Sequence, residues 1–346
     1  MRRREFLQTS LAASASGLTA APAPQSKTIQ LRDTIPVAEF GKTGHQLPLL
    51  ACGGSAMVEK WSAPGYYLDP LPLDQRVAMV RRAYEAGVRY FDTSRNYLES
   101  ESILGQALKD VRGNIYLATK VGVRGDGKGI LEPRDVRASV EESLKTLQTD
   151  YVDCIQIHGP AYEYMGYDRA MGIYEQLDKL RGEKLFRFIG VTGHTAFEIM
   201  YKLVDQRLFD SVFLAYGYFP KGMDTMLSLA NLEWRKLVLA RARELNMGIL
   251  AMKVLGSFAM GHGAAKLAPD LDEARLKATR QAALRWALRE PKPPVLVVGI
   301  SRPSDADENI ATLRASRDFT AQDQKLLAEF TARALRSPIV QNLKTT

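Results

Sequence analysis

Four polar residues stand at the ends of apolar segments and are the first candidates for chemistry in this sequence. Asp92 ends one apolar run, and Tyr97 follows it in "YFDTSRNYLESE". Lys120 and His158 end the next two apolar runs. Free tyrosine has a pKa of about 10, and a neighbouring ammonium stabilises its phenolate and lowers that value. A carboxylate would hold the ammonium in place, and an imidazole would orient a carbonyl oxygen. Together they could move a proton to or from a carbonyl.

Each of these four residues has a structural explanation when it is taken alone. A histidine at a strand end is more often hydrogen-bonded structure than a catalyst, and Lys120 could be a solvated strand end. Asp92 could cap an Asx turn, and Tyr97 could pack a loop. The chemical interpretation therefore depends on all four side chains meeting at one place.

Short β-branched segments alternate with longer amphipathic segments from about residue 47 onwards. The predicted strands are 47–53, 88–93, 115–120, 151–158, 186–192, 211–216, 248–254 and 294–300. The predicted helices are 74–86, 100–108, 133–147, 171–181, 196–206, 226–245, 272–289 and 304–314. Apolar strands buried on both faces are typical of a parallel sheet covered by helices. Eight βα repeats without a linker predict one α/β domain, a single (β/α)8 TIM barrel.

Two further segments are predicted to flank this repeat. Residues 40–48 predict an N-terminal hairpin across the barrel bottom, and residues 320–335 predict an extra C-terminal helix. The alternative fold, a doubly wound open sheet, requires a Gly-rich fingerprint after the first strand, and "ACGGSAM" does not match it. In a TIM barrel the chemistry lies at the carboxyl ends of the strands, which would bring the four polar residues to one mouth.

The first 24 residues are typical of a targeting segment. They begin with a basic cluster, and "RRREFLQ" resembles the bacterial twin-arginine export signal, with Arg3 and Arg4 as the pair. We therefore predict a signal peptide over 1–24, a barrel over 25–346, recognition by the twin-arginine export machinery and a periplasmic location. A basic terminus of a cytoplasmic protein is the alternative. The segment is too short and too rich in Ala and Ser to span a bilayer, so no stable membrane insertion is predicted.

Composition excludes several classes of function. The net charge is +8, of which three arginines against one glutamate in the leader contribute +2, and no basic run follows, so no nucleic-acid partner is predicted. The mild basic excess suits an anionic cofactor or substrate. Cys52 and Cys154 cannot form a cluster or a structural zinc site, and two separate core thiols are favoured over a disulfide.

Six segments in a fixed order resemble the aldo-keto reductases. They are "FGKTG", "AGVRYFDTSRNYLESESILGQAL", "LATK", "SLKTLQTDYVDCIQIH", "FRFIGVTGHT" and "GISRPSDADENI", over about residues 39–315. The resemblance implies a metal-free barrel that binds an extended nicotinamide dinucleotide and transfers hydride between it and a carbonyl or alcohol substrate. It implies that Tyr97 is the general acid/base, that Lys120 modifies its pKa, and that Asp92 pairs with Lys120. His158 would orient the substrate, and Glu101 matches a glutamate of the same loop.

The resemblance also implies a set of cofactor-binding residues. They are Thr192, Gly193, Tyr216, Lys253, Leu255, Ser257, Ile300, Ser301, Arg302, Glu308 and Asn309. Thr192 and Gly193 stand where the family has a Ser-Asn pair for the nicotinamide amide, with His194 as an alternative contact. Phe213 stands where the family has a glutamine that would make another contact with the nicotinamide amide. Tyr216 would stack on the nicotinamide, and the "AMKVLGSF" segment would contact the pyrophosphate.

The last cofactor segment bears on the choice of dinucleotide. Arg302 could grip an adenosine 2′-phosphate, so NADP(H) is predicted over NAD(H). Asp305, however, stands where many members of the family have a basic residue for that phosphate. Ser304, Asp305 and Asp307 also suit the start of a helix, and both interpretations can hold together.

Aromatic residues in two long loops are the candidates for a substrate pocket. They are Trp61, Tyr66, Tyr162 and Tyr164, which would suit a sugar, aryl or quinone carbonyl, although surface packing explains them equally well. The alternative function is a nicotinamide-binding redox-sensing or regulatory subunit with little turnover. A metal-dependent lyase or isomerase is poorly supported, because the chain has only four histidines.

Overall fold

Eight parallel strands close into a barrel in the computed structural model, which describes residues 28–59, 70–257 and 259–346. The predicted leader and the pocket candidates Trp61 and Tyr66 lie outside these residues. The strands are β1 (Val37–Glu39), β2 (Gln46–Pro48), β3 (Leu50–Gly53), β4 (Tyr90–Asp92), β5 (Tyr116–Val121), β6 (Val152–Ile157), β7 (Phe186–Gly193), β8 (Ser211–Ala215), β9 (Thr225–Met226), β10 (Gly248–Met252), β11 (Val295–Gly299) and β12 (Lys344–Thr345). The barrel order is β10-β11-β3-β4-β5-β6-β7-β8, and β8 pairs with β10 to close it.

Helices follow the barrel strands and cover their outer faces. They are α1 (Leu73–Glu85), α2 (Ser100–Leu108), α3 (Val136–Thr146), α4 (Pro160–Glu163), α5 (Gly166–Arg181), α6 (Phe197–Asp205), α7 (Leu229–Glu244), α8 (Ala264–Leu267), α9 (Glu273–Leu288), α10 (Pro303–Ala315), α11 (Ala321–Ala334) and α12 (Pro338–Gln341). The predicted (β/α)8 barrel and its extra C-terminal helix are confirmed. No helix in the described ranges is long and apolar enough to cross a membrane.

Side-chain caps set several helix starts. Ser228 accepts a hydrogen bond from the N–H of Asn231, so α7 begins at Leu229 rather than at the predicted residue 226. Asp272 caps α9 in the same way, and Thr320 begins α11 with a reciprocal bond to Asp323. These bonds satisfy N–H groups that have no partner within the helix.

An antiparallel hairpin of β1 and β2 closes the amino-terminal end of the barrel. The ring of Phe40, between these strands, packs edge-on against Tyr90 and Tyr116, which begin β4 and β5. A Cβ on Gly248, at the start of β10, would lie 2.6 Å from the Phe40 ring, so only glycine fits there. The predicted hairpin is confirmed, and it leaves the carboxyl ends of the strands for the site.

The two thiols are separate parts of the core. Cys52 and Cys154 are buried and not bonded to each other. Burial raises the pKa of the Cys52 thiol to about 12, so it stays protonated. The favoured prediction of two core thiols is confirmed.

Candidate active site

The structure brings Asp92 and Lys120 into one buried ion pair at the carboxyl end of the barrel. Asp92 ends β4, which pairs with β5, and Lys120 lies near the end of β5. The Lys120 Nζ donates to Asp92 Oδ2 at 2.5 Å and to the Thr93 carbonyl at 2.7 Å. Both side chains are almost fully buried, so each charge depends on the other for compensation.

Tyr97 and His158 complete the group. A turn in which the Tyr97 N–H donates to the Ser94 carbonyl at 2.9 Å carries the phenol back over the strand ends. The Lys120 Nζ lies 4.7 Å from the centre of the Tyr97 ring. The Tyr97 and His158 rings meet edge to face, with centres 5.7 Å apart. All four predicted catalytic side chains therefore lie together at one place, as the chemical interpretation requires.

Burial and the ion pair set the charge states of these groups. Burial lowers the pKa of the Lys120 ammonium, but Asp92 and Tyr97 together more than offset this, and the pKa lies above its ordinary value. Burial raises the pKa of Tyr97 and outweighs the nearby ammonium, which lowers it. The phenol is therefore a proton donor at neutral pH, with a higher pKa than the ammonium alone would give. Burial, with a smaller contribution from Lys120, holds the pKa of His158 well below its usual value, so its ring is neutral.

Glu101, the glutamate matched in the same loop, is buried beside these residues. Its Oε1 accepts a hydrogen bond from the Thr119 hydroxyl at 2.7 Å, and the Arg95 guanidinium lies 3.7 Å from Oε2. Arg95 belongs to the loop that carries Tyr97. Glu101 thus ties that loop to β5 rather than facing a ligand.

Gln156 is a residue of this site that the sequence analysis missed. Its Nε2 donates to Asp92 Oδ1 at 2.9 Å, so the carboxylate is held on one oxygen by Lys120 and on the other by Gln156. Gln156 lies opposite Lys120 in the β5–β6 register and is fully buried. A single amide inside the apolar run "VDCIQI" was the available signal, because a buried amide requires polar partners.

Gln156→Met tests this role as a positioning residue. Burial already raises the pKa of Asp92, while Lys120 and Gln156 lower it, so loss of the amide raises it further. We expect the acid limb of the kcat–pH profile to move to higher pH by up to about one unit, because one net hydrogen bond contributes about 0.5–1.5 kcal/mol. KM should change little. An unshifted acid limb, or the same shift in the exposed control Gln106→Met, would contradict the assignment.

A long cleft begins at these residues. It has a volume of about 450 Å³ and is lined at its inner end by Asp92, Tyr97 and His194. Its wall continues along Met252–Leu255 and Ser257 and ends at the start of α10, with Ser301, Ser304, Asp305, Glu308 and Asn309. Such a shape suits an elongated ligand with one end at the phenol.

Comparisons with known proteins agree with this geometry. The sequence model of the Aldo/keto reductase family matches residues 50–331. The chain belongs to the aldo-keto reductase family. It is 30% identical to L-galactose dehydrogenase of Arabidopsis thaliana over 311 residues, which cover 86% of this chain and 94% of that protein. It is 26% identical over 282 residues to an uncharacterised oxidoreductase of Bacillus subtilis, covering 75% and 88% respectively.

The fold comparison extends the same result. The holo form of an aldo-keto reductase from Bacillus halodurans has a TM-score of 0.64 and 19% identity, covering 86% of this chain and 96% of that one. At that identity the likeness supports the fold alone. Family membership makes this chain an oxidoreductase of a class that uses nicotinamide cofactors, and it decides against a metal-dependent lyase or isomerase.

Six of the predicted cofactor residues of this aldo-keto reductase line the cleft. They are Lys253, Leu255, Ser257, Ser301, Glu308 and Asn309. Thr192 and Gly193 end β7 nearby. The Tyr162 hydroxyl would lie 2.0 Å from a Cβ on Gly193, so glycine is required there. Ile300 is buried, and the Arg302 guanidinium donates to the Ser301 carbonyl at 2.7 Å; neither is among the described residues that line the cleft.

The structure corrects the prediction for Tyr216. Its hydroxyl accepts a hydrogen bond from Arg289 at 3.1 Å and its ring packs on Trp286, both near the end of α9 outside the barrel. Successive strand side chains point to opposite faces, so the inward position of Phe213 places Tyr216, three residues later, outward. Phe213 and Met252 line the cleft, whereas Tyr216 is not among the residues described there.

Two of the predicted pocket tyrosines also lie elsewhere. Tyr162 is fully buried, and its hydroxyl donates to the Thr192 carbonyl at 2.9 Å, so it supports the end of β7. Tyr164 is 69% exposed. Neither is among the described residues that line the cleft.

Buried polar atoms without partners, of His194 and Ser257 in the cleft wall and of Thr192 at the end of β7, suit a nicotinamide dinucleotide. Thr192 Oγ1 and His194 Nδ1 are buried near the reacting end and have no hydrogen-bond partner among the described residues, and a carboxamide offers both donors and an acceptor. Ser257 Oγ, further along the cleft, is also buried and has no hydrogen-bond partner among the described residues. Burial and the neighbouring Lys221 lower the pKa of Lys253 to about 8, and an anion beside this ammonium would restore its charge.

Proposed function

We propose that this protein transfers a hydride between a nicotinamide dinucleotide and a carbonyl or alcohol substrate, with Tyr97 as the general acid/base. The observation that carries the proposal is the buried Lys120 ammonium, which is bonded to Asp92 and lies against the Tyr97 ring at the inner end of the cleft. A phenol in contact with a fixed cation is suited to proton transfer, and the elongated cleft is suited to the cofactor.

The mechanism follows from the charge states of the residues at this end. The dinucleotide, when bound, supplies or accepts the hydride. Tyr97 gives its proton to the carbonyl oxygen in reduction and takes it from the alcohol in oxidation. Lys120 stabilises the phenolate that forms, and Asp92 keeps Lys120 in place. His158, neutral and beside Tyr97, can share a hydrogen bond with the substrate oxygen and so align it.

The cofactor would be held in three parts. Thr192 and His194 would bind the carboxamide, Lys253 and Ser257 the pyrophosphate, and Ser301, Glu308 and Asn309 the adenosine. The predicted preference for NADP(H) depends on Arg302, which is not among the described residues that line the cleft.

The substrate class is supported by the named relative. L-galactose dehydrogenase is a sugar enzyme by name, and at 30% identity over most of both chains it makes an aldose or a related carbonyl our first choice. The test is steady-state absorbance at the nicotinamide band with a panel of aldoses, aldehydes and ketones, in both directions. Turnover of any of them supports the proposal, and no turnover with any would contradict it.

A regulatory nicotinamide-binding subunit is the second candidate. It is favoured by Gly193 and Phe213, which stand where the family has an asparagine and a glutamine for the nicotinamide amide. Copurification of the dinucleotide without turnover of any panel member would support this candidate over the first.

We also propose that the protein is exported by the twin-arginine machinery. The proposal rests on "RRREFLQ", outside the described residues. Fractionation should find a shortened protein in the periplasm, and Arg3→Lys/Arg4→Lys should keep the full-length chain in the cytoplasm. Full-length wild-type protein in the cytoplasm would contradict it.

A further inference from the structure

The two ends of the cleft carry opposite charge. At the inner end the Lys253 ammonium lines the cleft, and the Asp92 carboxylate there is compensated by Lys120. The far end is lined by the carboxylates of Glu273, Asp305 and Glu308. Arg280 pairs with Glu273 and Glu308, Lys277 also pairs with Glu308, and His262 lies 3.5 Å from Asp305. Because the reacting end of a dinucleotide must lie at Tyr97, its adenosine lies at this acidic end.

Asp305 accepts the hydrogen bonds that a bound anion would need at this end of the cleft. Its Oδ2 accepts hydrogen bonds from the backbone N–H groups of Ser301, at 2.7 Å, and Arg302, at 2.9 Å, at the start of α10. Free N–H groups at a helix start are a common binding site for phosphate. Here the chain's own carboxylate satisfies them and also offsets the positive end of the helix dipole.

The carboxylate is charged and reaches the cleft. Burial raises the pKa of Asp305, but hydrogen bonds from His262 and from the two backbone N–H groups outweigh it and leave the pKa below its usual value. The side chain keeps 19% of its surface exposed, and Oδ1 takes no backbone hydrogen bond but lies 3.5 Å from His262 Nε2. Oδ1 can therefore accept a hydrogen bond from a ligand as well as face His262.

We infer that Asp305 selects a dinucleotide with a free 2′-hydroxyl on its adenosine ribose, NAD(H), over one with a 2′-phosphate, NADP(H). A ribose hydroxyl can donate to Oδ1, as acidic residues do for NAD in other folds. A 2′-phosphate would be repelled by this carboxylate, and the two backbone N–H groups already donate to Asp305. The inference rests on the proposed function and opposes the sequence prediction from Arg302, whose guanidinium is directed to the Ser301 carbonyl.

Binding titrations test this without hydride transfer. Calorimetry with NADH and NADPH measures the preference for the whole dinucleotide, and calorimetry with AMP and adenosine 2′,5′-bisphosphate measures it for the adenosine half alone. We expect wild type to bind the forms without the 2′-phosphate at least about tenfold more tightly, which corresponds to about 1.4 kcal/mol. Asp305→Asn should narrow the preference to within about threefold, because it removes the charge and keeps the shape.

Asp307→Asn is the matched control. It removes the same charge two residues along α10, but Asp307 pairs with the Arg82 guanidinium outside the cleft, so the preference should not change. Tighter binding of NADPH by wild type, or an unchanged preference in folded Asp305→Asn, would overturn the inference and leave the proposed function standing. Binding of neither dinucleotide would overturn both. If Asp305→Asn does not fold, the wild-type titrations alone decide.

Discussion

Tyr97→Phe should lower kcat for carbonyl reduction by about 10²–10⁴-fold, the usual contribution of a general acid. The change removes only the hydroxyl, so the ring that packs against Lys120 and His158 remains. The loss should fall on kcat, with little change in dinucleotide affinity or thermal stability. Stopped-flow and steady-state absorbance at the nicotinamide band measure kcat. Calorimetry measures the dinucleotide affinity and the thermal stability.

Tyr164→Phe is the control for this variant. That tyrosine is exposed and away from the cleft, so its hydroxyl should not matter. Full turnover by Tyr97→Phe would remove Tyr97 from the acid/base role. A loss that appears only in dinucleotide affinity would also contradict that role.

Lys120→Met should have the largest effect on stability. It leaves the Asp92 carboxylate buried without its cation, which typically costs about 3–5 kcal/mol of the free energy of unfolding. It should also abolish turnover, because nothing then stabilises the Tyr97 phenolate. Urea unfolding followed by circular dichroism measures the stability, and the carbonyl assay measures turnover.

The pH dependence of this variant has a definite sign. Without Lys120, burial keeps the folded-state pKa of Asp92 above its unfolded value of about 3.9. A group of this kind contributes stability below the unfolded pKa and loses it as pH rises through the folded pKa. Lys120→Met should therefore become less stable from about pH 4 upwards.

The double variant Lys120→Met/Asp92→Asn separates charge from packing. It removes both members of the ion pair, so it should recover much of the stability, lose the pH dependence and stay inactive. A Lys120→Met protein as stable as wild type at neutral pH would show that the pair is not the buried, mutually compensated contact described here.

Much of this fold was predictable because it depends on local patterns. Eight apolar segments separated by amphipathic ones require burial on both faces of each strand, which a barrel wrapped by helices provides. The side-chain cap Ser228 moved the start of α7, whereas α5 begins at Gly166, five residues before its predicted start, without a side-chain cap. Asp92, Lys120 and His158 were found because each ends or follows a strand, and parallel strands bring their carboxyl ends together.

Other parts of the site depend on contacts between distant residues. The bond from Gln156 to Asp92 joins residues 64 positions apart and depends on the register of β4, β5 and β6. Family resemblance placed Tyr216 on the nicotinamide, whereas its position directly after β8 directs it outward and leaves Phe213 in the cleft.

The sequence by itself determined the barrel, the family resemblance and the four residues at its mouth, because strand periodicity and strand ends are local properties. Only the tertiary structure decided which side chains face the cleft and what charge surrounds them. The sequence was compatible with two roles for Asp305, a cap of a helix or a residue beside the cofactor. The structure shows one carboxylate that caps α10 and lines the cleft. The reason is that packing between distant residues decides where a side chain points and which donors it contacts. A local sequence pattern does not carry that information.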